Sequence, residues 1–351
     1  MNINQLLELT IARNASDLHL VVGYPPMLRI HGELVPVAGS PVLTQAEVAS
    51  LVVTVLNPEQ KQVYDQNLEL DLAISFQGKA RFRINIFQQQ GYMCAALRLI
   101  PVTIPELESL GLPPPVQKLV NLKQGLILVT GPTGHGKSTT LAAMINRINK
   151  TRATHVLTIE DPIEYVYPKA KALISQREML VDTKDWENAL RAALREDPDV
   201  VLVGEMRDYK TISTTITIAE TGHLVLATLH TNSAAQTVDR IIDGFPENQQ
   251  PQIKLQLAAV LEAVISQRLI PTVSPGRALA VELLLRTPAL ASLIRDSKTH
   301  LIDNLIQTSG ELGMVNLETS LAKLIRGGEV NFETAQNYVL RPDLLAKLVG
   351  A

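Results

Sequence analysis

The sequence predicts an α/β protein: a domain with a parallel-rich sheet, preceded by a smaller α+β domain and followed by helices. Three observations predict it. From about residue 118, short buried apolar runs alternate with helical patterns, the mark of a parallel sheet with crossover helices. The first hundred residues instead carry closely spaced strand-like pieces broken by turn residues. Between the two lies "PVTIPELESLGLPPPVQ" (101–117), whose five prolines read as a connection.

In chain order, Ile3, Leu6, Leu7 and Ile11 share one face of an opening amphipathic helix. Strands are expected at "LHLVV", "MLRIHGELV", "LDLAISF", "ARFRINIF" and "YMCAALRLI". In "ARFRINIF", alternation puts Phe82, Ile84 and Ile86 on one face and Arg81, Arg83 and Asn85 on the other. Past the prolines, strands are expected at 125–130, 155–159, 199–203 and 223–229. After "SQRLIPTVSPGR" the pattern becomes mostly helical to the end. The domain boundaries expected are therefore 1–100, a linker at 101–117, and 118–351 with its helical part from about 271.

The chain has 351 residues and a net charge of −3, which gives no global electrostatic signature for nucleic acid. Cys94 is the single cysteine, so neither an intrachain disulfide nor a four-cysteine zinc site is expected, and a reducing compartment is. Set in "MCAALRLI", it reads as core. The N-terminus lacks the basic and long apolar regions of a signal peptide. No run approaches the ~18 apolar residues of a membrane span.

"GPTGHGKSTT" (131–140) carries the most specific chemistry. Gly131, Gly136, Lys137 and Ser138 satisfy G-x-x-x-x-G-K-[ST]. The apolar run "GLILVT" precedes the loop, and a helix with Leu141, Met144, Ile145 and Ile148 on one face follows it. The strand thus delivers a glycine loop to a helix N-terminus, where unpaired N–H groups and the dipole favour phosphate. Gly131, Pro132, Thr133, Gly134, His135, Gly136, Lys137, Ser138 and Thr139 are the candidate ATP contacts. Lys137 is expected on the β- and γ-phosphates, and the Ser138 hydroxyl on Mg²⁺.

"DPDVVLVGEMRD" (197–208) is an apolar strand ending in Gly204 and Glu205, a place from which a carboxylate can polarise a water beside the γ-phosphate. "TIEDPIEY" puts Glu160, Asp161 and Glu164 at the end of another strand. In an open α/β sheet ligands sit at the carboxyl ends of strands, so both clusters can face the loop. Each acid also reads as a solvated carboxylate or helix cap. His230 ends "HLVLATLH" and reads either as a hydrogen-bonded core residue or as a sensor of the γ-phosphate. Arg81 and Arg83 can be an exposed basic face or a bidentate clamp for phosphate.

Four separated segments, "GPTGHGKSTT", "TIEDPIEY", "REDPDVVLVGEMRD" and "AETGHLVLATLHTNSAA", together resemble the secretion-ATPase superfamily, and in it the type IV pilus retraction (twitching motility) ATPases of the PilT/PilU type. The resemblance runs from "ASDLHLVVGYPPMLRIHGEL" to "ELGMVNLETSLAKLIRGGEV", nearly the whole chain. It implies a PAS-like N-terminal domain, a RecA-like ATPase domain and a homohexameric ring. By matching motifs it places Glu160, Asp161 and Glu164 in the family's Asp box, Glu205 in its Walker B as catalytic glutamate, and His230 in its His box. Arg81 and Arg83 become the N-domain arginines that approach the phosphates. It further implies a cytoplasmic motor docked on an inner-membrane pilus platform protein, disassembling pilin fibres, with a paralogous retraction ATPase as a further partner.

The family's retraction signature A-I-R-N-L-I-R-E reads "ALASLIRD" (289–296) here, keeping Leu293, Ile294 and Arg295. That departure leans toward the accessory PilU-like branch, whereas "REDPD" and "GEMRD" resemble the principal motor. Extension and type II secretion relatives usually carry a four-cysteine zinc module, which this chain cannot build. Two other functions compete: a regulatory subunit that hydrolyses ATP weakly, and a nucleic-acid translocase. The absence of a basic–aromatic binding segment counts against the translocase.

Overall fold

The computed structural model describes residues 1–30, 32–100 and 103–350. The chain forms two compact units. One comprises Met1–Thr103 together with Pro162–Val166; the other comprises Ile104–Asp161 and Tyr167–Ala351.

The first unit opens with α1 (Ile3–Ala12), started by a reciprocal capping box between Asn2 and Gln5. Ile3, Leu6 and Leu7 are buried as the spacing predicts, but the fourth buried position is Thr10, not Ile11. The Thr10 hydroxyl donates to the Leu6 carbonyl at 2.7 Å, so its burial leaves no unmet hydrogen bond. Six strands follow: β1 (Asp17–Leu20), β2 (Met27–Ile30), β3 (Glu33–Pro36), β4 (Glu69–Phe76), β5 (Ala80–Gln89) and β6 (Tyr92–Ile100). They make one antiparallel sheet in the order β3-β2-β1-β6-β5-β4.

The single run "MLRIHGELV" thus folds as two strands, β2 and β3. His31, within that run, lies outside the described residues. Two helices that apolar periodicity does not announce, α2 (Gln45–Val53) and α3 (Pro58–Asn67), lie between β3 and β4. Their start signals are nonetheless written in the chain: Thr44 with Glu47, and Asn57 with Gln60 and Pro58 in the first turn. Phe82, Ile84 and Ile86 of β5 are fully buried, while Arg81 and Arg83 on its other face are partly exposed. Cys94 is buried, as its apolar setting predicts.

In the second unit a short α4 (Val116–Leu119) leads to a seven-stranded sheet. Its strands are β7 (Gly125–Thr130), β8 (His155–Glu160), β9 (Leu173–Glu178), β10 (Val200–Val203), β11 (Leu224–Leu229), β12 (Leu261–Pro271) and β13 (Arg277–Leu285). The order is β13-β12-β7-β11-β10-β8-β9, with every neighbouring pair parallel except β12 and β13. Helices α5 (Lys137–Thr151), α6 (Trp186–Ala193), α7 (Tyr209–Glu220), α8 (Ala234–Asp243) and α9 (Gln250–Val260) connect the strands. Helices α10 (Pro288–Arg295), α11 (Ile302–Thr308), α12 (Leu317–Arg326), α13 (Phe332–Gln336) and α14 (Pro342–Val349) complete the chain.

The four strands expected here form within a residue of their predicted ends, and Leu141, Met144, Ile145 and Ile148 of α5 are buried together. Three further strands were not expected. β9 is an edge strand with a mixed polar sequence and no continuous apolar run. β13 is "RALAVELLL", composed largely of good helix formers, yet it pairs with β12 at nine positions. Burial against that long partner overrides local preference. The C-terminal helices therefore begin at Pro288, not near 271. The segment from Ile104 is also less free than a linker: Leu107 is buried, and Glu106 and Glu108 pair with Lys150 and Arg147 of α5. Among the described residues no helix is long and apolar enough to cross a membrane.

Candidate active site

Parallel strands end on a common edge, and the register of this sheet decides what meets there. Thr130 pairs with Leu229, while Val203 pairs with both Ala227 and Ile159. The residues that follow each strand, Gly131, Asp161, Gly204 with Glu205, and His230, therefore emerge side by side at the carboxyl edge.

Gly131 leaves β7 with φ +138°, and a Cβ on it would lie 2.5 Å from the Gln267 carbonyl oxygen of β12. Only glycine fits there. At the other end of the loop, Gly136 caps α5 with φ +85° and no side-chain hydrogen bond, so the first amides of a 15-residue helix lack a side-chain cap. Lys137 Nζ donates to the carbonyls of Gly131 at 2.9 Å and Pro132 at 3.0 Å, folded across its own loop. Ser138 and Thr139 follow in the first turn, partly buried, while Thr133 and Gly134 are exposed at the tip. His135 Nδ1 accepts from the Leu269 amide at 2.9 Å, which places a neutral ring's proton on Nε2. Burial, then the charges of Arg268, Lys137 and Arg277, hold this imidazole below its usual value.

From the loop a chain of polar contacts runs across the sheet edge. Thr133 Oγ1 lies 3.5 Å from His230 Nδ1, and His230 Nε2 lies 3.2 Å from Glu205 Oε1. Arg207 Nε donates to Glu205 Oε2 at 3.0 Å, and its guanidinium reaches Asp161 Oδ2 at 3.5 Å. Glu205, Arg207 and His230 border a cavity of about 510 Å³ that α8 closes with Asp239 and Arg240. Glu160 is turned inward instead, accepting from Thr158 Oγ1 at 2.7 Å and Gln176 Nε2 at 3.3 Å. The structure thus joins Glu205, His230, Asp161 and Thr133. It adds Arg207, which sequence reasoning passed over although "GEMRD" places it two residues from the glutamate.

Arg81, Arg83 and Glu164 belong to the first unit. Arg83 Nε is 4.0 Å from Asp71 Oδ1 on the neighbouring strand.

A glycine loop, an uncapped helix start and a carboxylate held by a histidine suit hydrolysis of a bound phosphoanhydride. Comparison with known proteins agrees: the family described as "Type II/IV secretion system protein" matches residues 1–316. The chain belongs to that family. Within it the chain groups with the PilT-type ATPases. It is 44% identical over 343 residues to the "Type IV pilus retractation ATPase PilT" of Pseudomonas aeruginosa, covering 98% of this chain and 99% of that protein. It is 47% identical over 336 residues to the "Twitching motility protein" of Neisseria gonorrhoeae, covering 95% and 90%. The crystal structure of the pilus retraction motor PilT with bound ADP superposes with a TM-score of 0.93 at 44% identity, covering 99% of each chain.

Proposed function

We propose that this secretion-family ATPase is the motor of type IV pilus retraction, hydrolysing ATP to drive movements that disassemble a pilin fibre. The observation that carries the hydrolytic part is the chain Thr133–His230–Glu205 beside the loop that ends at Lys137. Glu205 orients and deprotonates the attacking water, and His230 fixes the carboxylate's direction. On binding nucleotide, Lys137 exchanges its two loop carbonyls for the β- and γ-phosphates. The donor set also fits Mg²⁺: the Ser138 hydroxyl would hold it, and Asp161 and Glu205 at the same carboxyl edge of the sheet offer the hard oxygen donors that ion prefers. When bound, the ion neutralises charge on the phosphates. Arg81 and Arg83 of the first unit add guanidinium groups to the phosphates on closure, which couples turnover to domain position.

The protein works as a homohexameric ring docked on a membrane-embedded platform protein. Light scattering with an ATP analogue and Mg²⁺ should give the mass of a hexamer; monomer alone at micromolar concentrations contradicts the ring.

The hydrolytic assignment is tested by two variants. Lys137→Ala should weaken nucleotide binding, because it removes the charge that compensates the phosphates. Glu205→Gln should keep binding and lose most turnover, since an amide is a poor proton acceptor. Full activity in Glu205→Gln removes that residue from catalysis.

A further inference from the structure

His230 reaches Glu205 from the start of a short loop, Thr231 to Ser233. Helix α8 holds that loop from one side, through Thr237 on Thr231 and Gln236 on the Asn232 amide, at 2.6 and 2.7 Å, and β12 and β13 hold it from the other. Alternation along β12 sends successive residues to opposite faces of the sheet. On the glycine-loop side, the Gln267 and Leu269 side chains lie against Gly136, while along the strand's edge the Gln267 carbonyl meets Gly131 and the Leu269 amide donates to His135. On the other side, Arg268 donates through one guanidinium nitrogen to the Asn232 carbonyl at 3.3 Å and to Asn232 Oδ1 at 3.0 Å. Glu282 of β13, opposite Ser266, accepts the Ala234 amide on Oε1 at 2.7 Å. One strand pair therefore grips both loops whose separation fixes the site.

Both groups are costly to bury. Arg268 is 6% exposed and Glu282 1% exposed. Glu282 Oε2 has no hydrogen-bond partner among the described residues. A half-satisfied buried carboxyl is weak evidence of a stabilising role, since well-packed apolar residues often replace buried charges at no loss of stability. The two are placed where they fix backbone, one on each side of Ser233.

We infer that Arg268 and Glu282 are positioning residues: they clamp the loop at Asn232 and Ala234 and so hold His230 against Glu205. This rests on the hydrolytic role given to Glu205 above. Loosening the clamp moves His230 and leaves the glycine loop in place, so it should slow turnover without weakening nucleotide binding. Misplacement of a catalytic group by about 1 Å can cost on the order of a hundredfold in rate.

The test measures ATP hydrolysis and affinity for a fluorescent ATP analogue in the full-length protein. Glu282→Met, which removes the acceptor, should lower kcat about tenfold or more while affinity stays within about twofold. Glu282→Gln, whose amide oxygen can still accept from Ala234, should recover most of the rate. Arg268→Gln should give the same split of kcat from affinity, and decides the matter if Glu282→Met yields no folded protein. Because the clamp acts through His230, the double variant Glu282→Met/His230→Ala should be no slower than His230→Ala alone. A wild-type kcat in folded Glu282→Met, affinity falling in step with kcat, or a multiplicative loss in the double variant overturns the inference. Glu205→Gln is measured alongside; if it turns over at the wild-type rate, the hydrolytic reading fails, whatever Glu282 does.

Discussion

His230 Nε2 stands 3.2 Å from Oε1 of Glu205, while its other ring nitrogen faces Thr133 of the glycine loop. The histidine thus bridges the Glu205 carboxylate and the glycine loop, which a lone core histidine would not do. His230→Ala should lower kcat by about tenfold to a hundredfold with little change in nucleotide affinity, because the carboxylate keeps Arg207 on Oε2 but loses the partner that orients Oε1. Steady-state kinetics with a separate binding titration checks this. Equal loss of affinity and kcat would make the residue structural.

The close approach of β12 to Gly131 sets a second expectation. Gly131→Ala places a methyl 2.5 Å from the Gln267 carbonyl at a backbone angle that side chains rarely adopt. The strain costs about 1–3 kcal/mol, and relief can come only by shifting the loop or β12. Thermal unfolding should show a lowered Tm, and nucleotide binding should weaken because the cradle deforms. Unchanged binding and Tm would mean that the loop tolerates the methyl.

Arg81 and Arg83 share the polar face of β5, opposite three fully buried residues. Their contacts are expected to strengthen as charge develops on the transferring phosphate, so alanine at either should depress kcat more than affinity. Lysine should rescue only partly, because a point charge does not reproduce the planar fork. Wild-type kinetics in both alanine variants, with ring assembly verified, would reduce the pair to an exposed basic face.

Glu282 supplies a pH dependence. Burial pushes its carboxyl from 4.5 up to about 7, with the Ala234 amide opposing, Asp303 and Glu318 adding, and Arg341 opposing. Arg268 also faces it from β12. The folded state holds this proton more tightly than the unfolded chain does. The contribution is therefore full below the unfolded value and is lost as pH rises through the folded one. Glu282→Gln abolishes it, so the variant should gain stability relative to the unchanged protein between about pH 5 and about pH 8. Denaturant titrations at several pH values decide this; parallel curves for the two proteins contradict it.

Much of this site is legible because its residues follow strands that are continuous apolar runs. "GLILVT", "VVLV" and "LVLATL" announce themselves, and the glycines, Glu205 and His230 stand immediately after them. The clamp is not legible for the converse reason. Arg268 and Glu282 lie within strands, and β13 is written in Ala, Leu and Glu, so nothing local marks it as sheet or its glutamate as buried. Their role depends on pairing across the sheet, which no window of sequence contains. Thr10 for Ile11 in α1 is a smaller case: a hydroxyl that can bond back to its own helix takes a core position that hydropathy assigns elsewhere.

The central claim is that ATP turnover at Glu205 powers pilus retraction, and the most direct measurement is complementation of a strain lacking its retraction ATPase, scored by twitching and by surface pilus load. The unchanged chain should restore twitching and lower the pilus load, and the Glu205→Gln chain, present at equal level, should do neither. A chain that hydrolyses ATP in the same cells yet leaves them non-motile and heavily piliated would contradict the retraction motor.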